Sequence, residues 1–232
     1  MQLPKRVVSQ SNALVSASYR LTLTEKRLVM LAASKIDSRK PLAPDHSLSF
    51  TAKEYADFFG ISNNDIATDL KEAVAKLWDR EITFLSEDGD TSTSLRWINK
   101  KVTSRKGAFT LRFNPEILEH LADLQRNFTQ VSLREAGRLQ SFYSFRLYEL
   151  LSQYQRIGKR EITVEELRQM LDVVDKFKTT ALLQKFVVQP ACEEISTKTD
   201  VLVTWMQKKT GRKVTSWKFY IDQKQQADLF TS

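Results

Sequence analysis

Two segments of the chain carry the same order of polar and apolar positions. Residues 50–61 read FTAKEYADFFGI, and residues 162–173 read ITVEELRQMLDV. Each copy opens with Thr-x-x-Glu, at Thr51 and at Thr163, the pattern of a capping box in which both side chains satisfy the first N–H groups of a helix. Apolar residues then recur at i, i+3 and i+4, which predicts a short amphipathic helix in each copy. The chain therefore contains an internal repeat.

The segments on either side of the two copies repeat as well. A longer helical pattern precedes each copy, another helix follows it, and two alternating segments around a basic turn come last. The helices are predicted over 24–36, 67–78, 141–154 and 179–195, the strands over 95–102, 108–113, 201–206 and 214–221, and the turns over 103–107 and 208–213. Three helices followed by a basic hairpin are the order of a winged helix-turn-helix. The predicted fold is therefore α+β, with two tandem winged-helix domains joined by a short helical connection.

The connection between the two domains is short. Asn114-Pro115 predicts the start of a helix that continues through Leu124, and Ser132-x-x-Glu135 predicts a further capping box. We place the boundary near Val131, with an N-terminal domain over 1–131, a C-terminal domain over 132–222 and a flexible tail over 223–232. The apolar residues within 3–16 are expected to pack either against the first domain or against a second copy of the chain.

The charge of the chain narrows its class of partner. Lys and Arg number 36 against 28 Asp and Glu, a formal net charge of +8, and such an excess favours polyanionic partners. No run approaches the roughly 18 consecutive apolar residues of a membrane helix, and the first residues lack a secretory signal. The single cysteine, Cys192, leaves no internal disulfide. We therefore expect a cytoplasmic protein.

Side chains suited to catalysis are sparse. The two histidines, His46 and His120, lie far apart in the sequence, so the metal-chelating pair of a nicking enzyme is missing. Gly158-Lys159 lacks the upstream glycine spacing of a phosphate-binding loop, and Cys192 stands beside apolar residues, which favours packing over reactivity. We predict no catalytic residue, no metal and no cofactor.

Both predicted hairpins are basic and contain no acidic residue. Six cations stand between residues 96 and 113, and five between residues 201 and 221. Long cationic side chains on a hairpin can contact a phosphate backbone or enter the minor groove. The alternative explanation is that the charges keep an exposed strand edge from pairing with strands of other molecules. Because the bias occurs at matching positions twice, we favour DNA contact. The predicted contact residues are Arg96, Lys100, Lys101, Arg105, Lys106, Lys208, Lys209, Arg212 and Lys213.

The helix before each hairpin is the candidate for contact with bases, because a recognition helix fits the major groove. The candidates are Lys178, Thr179, Thr180, Gln184 and Lys185 in the second unit, and Asn63, Asn64, Thr68, Lys71 and Lys76 in the first. A Gln can pair with adenine and a Lys can reach guanine, while ordinary solvent exposure is the alternative for each residue. Four apolar residues of the second helix are expected to face the core: Leu182, Leu183, Phe186 and Val187.

Several stretches resemble the replication initiator (Rep) proteins of iteron-containing bacterial plasmids. Residues 141–151 (SFYSFRLYELL) resemble the opening helix of their second winged-helix domain, and residues 21–27 (LTLTEKR) resemble their first helix. Residues 111–117 resemble the exit from the first wing, and residues 188–191 and 211–214 resemble the second recognition helix and wing. The matches follow one another in order along nearly the whole chain.

This resemblance implies a function in plasmid replication and copy control. Such initiators bind directly repeated origin sequences, the iterons, as monomers, with one domain on each side of a site, and help to open adjacent AT-rich DNA. They recruit host replication proteins, and as dimers, joined largely through the first domain, many repress their own gene. An alternative is a winged-helix transcriptional repressor with no role in replication, and a second is an RNA-binding module.

The sequence departs from these relatives in the second recognition helix. Many of them carry a run of basic residues there, whereas this chain has Leu183-Gln184-Lys185-Phe186. Fewer cations at this place suggest an altered base preference or a weaker affinity.

The last residues contain a short motif. Residues 226–230 (QADLF) resemble the peptide by which bacterial proteins bind the sliding clamp of the replicase. In that interpretation Leu229 and Phe230 fill an apolar pocket and Gln226 forms hydrogen bonds beside it. In the alternative, Leu229 and Phe230 fold back onto the second domain.

Overall fold

The computed structural model describes residues 7–36, 46–62, 65–86, 88, 90–104, 106–121 and 128–224. The chain divides into two compact units, Met1–Gly137 and Arg138–Ser232, hereafter unit 1 and unit 2. Both combine helices with antiparallel sheets, and the predicted fold class of two winged-helix domains is confirmed. The boundary expected near Val131 lies within a strand of unit 1.

The described part of unit 1 contains six helices, of which α2, α3 and α4 are the longest. Its helices are α1 (Asn12–Ser16), α2 (Leu23–Ala33), α3 (Ala52–Phe59), α4 (Ile66–Leu77), α5 (Pro115–Glu119) and α6 (Leu133–Ala136). Helix α2 begins at a complete capping box of Thr22 and Glu25, and Gly60 ends α3 in the left-handed conformation that an L side chain adopts only at a cost. Buried Leu28, Leu70 and Val74 belong to the apolar faces of α2 and α4.

The strands of unit 1 form three small antiparallel sheets. They are β1 (Val7–Ser11), β2 (Ser47–Thr51), β3 (Glu81–Leu85), β4 (Ser92–Arg96), β5 (Ile98–Thr103), β6 (Ala108–Phe113) and β7 (Phe128–Ser132). The sheets have the orders β2-β6-β5, β3-β4 and β1-β7. In the first of these, Phe109, Leu111 and Phe113 alternate inward as the period of two predicts.

The strand predicted over 95–102 is wrong, because it consists of two strands. Leu95 and Arg96 end β4, which pairs with β3, whereas β5 begins at Ile98 and pairs with β6. Trp97 lies between the two strands with its side chain buried, and its ring meets that of Tyr19 edge to face at 5.0 Å. The chain therefore changes sheets at a buried aromatic residue.

The described part of the N-terminal segment packs within unit 1, which is the first of its two expected positions. Strand β1 pairs along its length with β7, and the side chains of Val8, Leu14 and Val15 are buried. Residues 3–6 of the same prediction lie outside the described residues.

Unit 2 has the same plan with one larger sheet. Its helices are α7 (Phe142–Ser152), α8 (Val164–Met170), α9 (Thr180–Leu183) and α10 (Gln189–Lys198), and a π-helical segment over Gln184–Val188 joins the last two into one continuous helix. Its strands are β8 (Lys159–Thr163), β9 (Val201–Thr210) and β10 (Lys213–Gln223), in the order β8-β10-β9. Trp217, Phe219 and Ile221 alternate into the core, as predicted.

The capping boxes differ between the two repeats. The Thr163 hydroxyl accepts from Glu166 N, and the Glu166 carboxylate accepts from Thr163 N at 2.8 Å, so this box is complete. Thr51 caps α3 in the same way, but the Glu54 carboxylate lies 2.7 Å from Lys35 Nζ. The box predicted at Ser132 is wrong, because that residue forms no side-chain cap and α6 has only four residues.

Two further predictions about the connecting elements need correction. The helix that Asn114 caps ends at Glu119, before Leu121, because only five residues adopt helical geometry; residues 122–127 lie outside the described residues. The turn predicted over 208–213 is shorter, because β9 and β10 remain paired up to Thr210 and Lys213. Only Gly211 and Arg212 form the turn.

The polar side chains of α7 lie inside unit 2. Arg146 and Glu149 are fully buried and form an ion pair with 3.0 Å between Nη1 and Oε2. Arg146 Nη2 also donates to the carbonyl of Met170 at 3.3 Å, so the charges have partners in the core. Arg160 donates to the Leu150 carbonyl at 2.5 Å and to Gln153 Oε1 at 2.6 Å. Buried charges of this kind require such partners.

Candidate nucleic-acid interface

The hairpin of β9 and β10, the wing of unit 2, carries four exposed cations. Lys208 and Lys209 lie on β9, Arg212 lies in the turn, and Lys213 begins β10. Gly211 has a φ of +61° at the first central position of this two-residue turn, the place at which a type II′ turn prefers glycine. The tight turn therefore brings three of the predicted DNA contacts to the end of a long, twisted ribbon.

An acidic side chain that is remote in sequence lies beside this wing. Glu161 of β8 pairs in register with Lys218 of β10, and its carboxylate is 2.5 Å from Lys208 Nζ. Ser216 Oγ donates to the same carboxylate at 2.7 Å. The hydrogen bonds from Lys208 and Ser216 hold the pKa of Glu161 below its usual range. Lys208, predicted as a DNA contact, is therefore already paired with a carboxylate.

The recognition helix of unit 2 begins after an N-cap residue, and only some of its apolar side chains are buried. The Thr179 hydroxyl accepts from Leu182 N at 3.2 Å, which fixes the start of the helix beside exposed Lys178. Leu183 and Val187 are buried as predicted. The prediction that Leu182 and Phe186 face the core is wrong, because 40% and 54% of their surface is exposed.

The spacing of the buried residues explains this difference. Leu183, Val187, Ala191 and Ile195 recur every four residues and face the core. Leu182 and Phe186 precede members of that row by one residue, which is a rotation of about 100° around a helix. They therefore form a second apolar row that points away from the core, beside exposed Lys185 and Gln189.

Gln184 is held by the sheet on the inner side of the helix. Its Oε1 accepts from Trp217 Nε1 at 3.3 Å and also from Gln207 Nε2. Of the residues predicted to contact bases in unit 2, Lys178, Thr179 and Lys185 are exposed and Thr180 is partly exposed. The amide oxygen of Gln184 is engaged within the domain.

The corresponding helix of unit 1, α4, carries equal numbers of basic and acidic side chains. Lys71 and Lys76 are exposed as predicted, but Asp69 and Glu72 stand on the same helix, and Lys76 Nζ lies 3.5 Å from Glu72 Oε2. Thr68 is also exposed. The candidates Asn63 and Asn64 lie outside the described residues.

The wing of unit 1, formed by β5 and β6, brings together only some of its predicted cations. Lys101 and Lys106 are exposed and Lys100 is partly exposed. Lys101 Nζ lies 5.0 Å from the centre of the Trp78 ring, at the end of α4, so helix and wing meet at this contact. Arg96 is exposed but belongs to β4 and not to the wing. Arg105 lies outside the described residues.

Three groups beside the candidate site were not predicted. They are the Glu161 carboxylate, the outward ring of Phe186, and the Arg168 guanidinium, which donates to the carbonyls of Lys176 and Phe177 in the loop before the recognition helix. The scarcity of basic residues around Phe186 was visible in the sequence. No sequence pattern near Glu161 indicated its contact with Lys208, because the two residues are 47 positions apart.

Cys192 and His120, which were considered for catalysis or metal binding, are wholly or partly buried. Burial raises the pKa of the Cys192 thiol, and nearby Glu193 adds to the effect. Burial lowers the pKa of His120, whose Nδ1 lies 2.8 Å from Ser11 Oγ. Within the described part of the chain, no cluster of His, Cys, Asp and Glu has the arrangement of a metal site. The helices described there are too short or too polar to span a bilayer.

Comparison with known proteins gives a consistent assignment. Residues 7–152 match the family model "Initiator Replication protein, WH1", and residues 163–221 match "Initiator Rep protein, WH2". An "Uncharacterized 27.6 kDa protein" of Escherichia coli is 28% identical over 217 residues, which cover 88% of this chain and 91% of that protein. A "Replication initiation protein" of Escherichia coli is 25% identical over 233 residues, or 97% of this chain and 72% of that protein.

A solved structure extends the similarity to both units. The Pi initiator protein in complex with iteron DNA matches with a TM-score of 0.80 and 25% sequence identity, and the match covers 94% of this chain and 97% of that one. The two family models together span most of the sequence, in the order of the two units. The chain therefore belongs to the family of replication initiator (Rep) proteins of iteron-containing plasmids, which the resemblance of its helices and wings had indicated.

Proposed function

We propose that this chain is a plasmid replication initiator that binds repeated double-stranded origin sequences, the iterons, through both winged-helix units. The observation that carries this proposal is the similarity of the whole chain to the Pi initiator, whose solved structure contains iteron DNA. Exposed cations at Lys209, Arg212 and Lys213 on one wing, and at Lys101 and Lys106 on the other, support it. Such side chains bind phosphates and position a protein on a duplex.

We assign different tasks to the two units. Between residues 178 and 189 the chain has two lysines and no acidic residue, whereas α4 has two cations and two acids. The helix of unit 2 therefore suits base contact in the major groove. We assign backbone contact and dimerisation to unit 1, as the resemblance to iteron-plasmid initiators implies. In this proposal the chain exchanges between monomer and dimer, recruits host replication proteins at the origin and represses its own gene, all in the cytoplasm.

Selection of binding sites from random duplex DNA tests the proposal. We expect an enriched site longer than one winged-helix domain covers, and an affinity that falls steeply with salt because bound phosphates release counterions. A site that one domain could cover, or the absence of any enriched site, would contradict the use of both units.

A charge-matched pair of variants tests the role of the wing. In Lys209→Ala/Arg212→Ala two cations near the turn are removed. In Arg156→Ala/Lys159→Ala two other exposed cations are removed, Arg156 in the turn before β8 and Lys159 at the start of β8, away from the wing. We expect the salt dependence of the first variant to fall by about one unit for each phosphate that the wing no longer binds. Equal decreases in the two variants would show that only net charge matters.

We propose a second partner, the sliding clamp, for the C-terminal motif. Gln226, Leu229 and Phe230 lie outside the described residues, so this proposal rests on the resemblance of the sequence. The variant Leu229→Ala/Phe230→Ala should lose binding to immobilised clamp and keep its affinity for the selected DNA site. Unchanged clamp binding would disprove it.

A further inference from the structure

The outer face of the recognition helix in unit 2 is apolar at its centre. Phe186 has 54% of its surface exposed and Leu182, one turn earlier, has 40%. Large apolar side chains at adjacent turns are costly to leave in water, and here they lie on the surface that the proposed function turns toward DNA. An apolar group on the DNA would remove them from water.

The ring of Phe186 is held in place. The Phe177 ring stacks beside it, with 6.3 Å between ring centres and 24° between planes, and Tyr143 meets Phe177 edge to face at 6.0 Å. Such aromatic contacts orient a side chain as well as bury it. The ring of Phe186 is therefore presented to solvent in a supported position.

The loop that supplies Phe177 is itself fixed. Phe177 has a φ of +49°, a left-handed conformation that is uncommon for a bulky residue. The Arg168 guanidinium donates to the carbonyls of Lys176 at 2.9 Å and Phe177 at 2.6 Å. Unusual backbone conformations held by surrounding contacts are concentrated at functional sites.

The charges around this apolar row favour a polyanion. Exposed Lys178 precedes Leu182, and exposed Lys185 is adjacent to Phe186, with Nζ at 5.4 Å from the centre of the Phe186 ring. No acidic residue occurs from 178 to 189. In the major groove of DNA, the apolar group on the base edges is the C5-methyl group of thymine.

We propose that Phe186, supported by Phe177 and extended by Leu182, determines specificity by packing against thymine methyl groups in the major groove. This inference rests on the proposed function. It also accounts for the scarcity of basic residues in this helix, because part of the base recognition is apolar. Arg168 and Phe177 act as positioning residues, since they hold the ring without themselves reaching the bases.

Replacement of thymine by uracil in the selected site isolates the methyl group, because the two bases differ only there. The full-length chain is bound to duplexes in which each dT is changed singly to dU. At one or two neighbouring positions we expect the affinity to fall about fourfold, the ratio for removal of one buried CH₂-sized group. The variant Phe186→Ala should bind dT and dU equally at those positions.

Two further variants distinguish loss of the proposed contact from a general effect of the substitution on the folded protein. Leu202→Ala removes another exposed apolar side chain, on β9 (43% exposed), and should retain the discrimination between dT and dU. Phe186→Leu keeps an apolar side chain and should retain part of it. Thermal unfolding confirms that each variant is folded at the binding temperature.

The outcomes separate the inference from the proposed function. An enriched site whose affinity is unaffected by dU, or equal discrimination by Phe186→Ala and the wild type, would overturn the inference and leave the proposed function standing. Absence of any enriched duplex would overturn both. Loss of discrimination in Phe186→Ala alone would establish the contact.

Discussion

At Gly137 a single hydrogen atom in place of a side chain allows close packing in unit 1. A Cβ at this position would lie 2.8 Å from the Leu133 carbonyl oxygen and 3.1 Å from Phe59 Cδ1. The Gly137 carbonyl accepts from Arg27 Nη2 at 3.0 Å, and the Arg27 guanidinium lies over the Phe59 ring. Helices α2, α3 and α6 thus meet around one small residue.

The variant Gly137→Ala should therefore destabilise unit 1. Overpacking of this kind costs about 1–3 kcal/mol, because backbone or the Phe59 ring must move. Denaturant unfolding gives the change in the free energy of unfolding, and an unchanged midpoint would show that the end of α6 relaxes freely. Affinity for DNA should be unchanged at temperatures at which the variant is folded.

The contact between Glu161 and Lys208 leads to a prediction about affinity. In Glu161→Gln the partner of Lys208 loses its charge, so the lysine becomes available to a phosphate, and we expect tighter binding with a salt dependence steeper by about one unit. Glu165→Gln, in which another exposed acid of the same unit loses its charge, is the matched control. Equal increases in affinity in both variants would mean that the ion pair has no specific role.

At the scale of elements, the wing of unit 2 depends on its two-residue turn. Strands β9 and β10 pair from Val201 and Gln223 to Thr210 and Lys213, and a type II′ turn matches the right-handed twist of such a ribbon. The position of the exposed cations therefore depends on the conformation of Gly211, whose φ is +61°.

Substitution of Gly211 should impair the wing more than the core. Gly211→Val places a β-branched residue at positive φ, and we expect weaker DNA binding with a reduced salt dependence, because the end of the ribbon no longer presents Arg212 and Lys213 together. Buried Trp217 reports on the core through its fluorescence and should show little change in the native state. Gly211→Asn should be milder, since Asn tolerates positive φ better. Full DNA affinity in Gly211→Val would disprove the argument.

At the scale of the whole molecule, a carboxylate makes the stability of unit 2 depend on pH. Glu194 Oε1 accepts from Gln140 N at 2.7 Å and lies 2.8 Å from Lys198 Nζ. Burial raises the pKa of Glu194, but hydrogen bonds from Lys198, Ser144 and Gln140 N outweigh it, so the pKa lies below its usual value of 4.5. A carboxyl group whose pKa is lower in the folded state stabilises the fold above its unfolded pKa.

We therefore expect unit 2 to lose stability as the pH falls below about 4.5, the range in which the unfolded chain takes up a proton before the folded one. Glu194→Gln should be less stable near neutral pH and less sensitive to acid. Unfolding midpoints measured between neutral and acidic pH check this. Parallel curves for the variant and the wild type would contradict it.

Much of the fold was predictable because it depends on neighbours along the chain. The capping box at Thr163, the N-cap at Thr51 and the start of α5 at Asn114 rest on contacts three residues apart or fewer. The alternation of β6 and β10 and the turn at Gly211 have the same local origin. The internal repeat then indicated two winged-helix domains, and the two hairpins indicated a polyanionic partner.

The candidate site was predictable as a set of elements but only in part as a set of side chains. The exposure of the candidate lysines was predictable, because cations on hairpins and helix starts remain in solvent. Leu182 and Phe186 were misplaced, because their orientation depends on the row of residues that the sheet covers. The hydrogen bonds of Gln184 to Trp217 and Gln207 had no local signal either. Because the buried residues of this helix recur every four positions from Leu183, the neighbouring side chains of Leu182 and Phe186 face solvent.

By itself the sequence determined the repeated helices, the two basic hairpins and, through its resemblance, the family of initiators. Tertiary structure decided which segments pair: β1 with β7, the change of sheets at Trp97, and the position of Glu161 beside Lys208. It also decided that Phe186 faces solvent. The physical reason is that caps, turns and periodicity act between near neighbours, whereas strand pairing and burial depend on residues that folding brings together from distant parts of the chain.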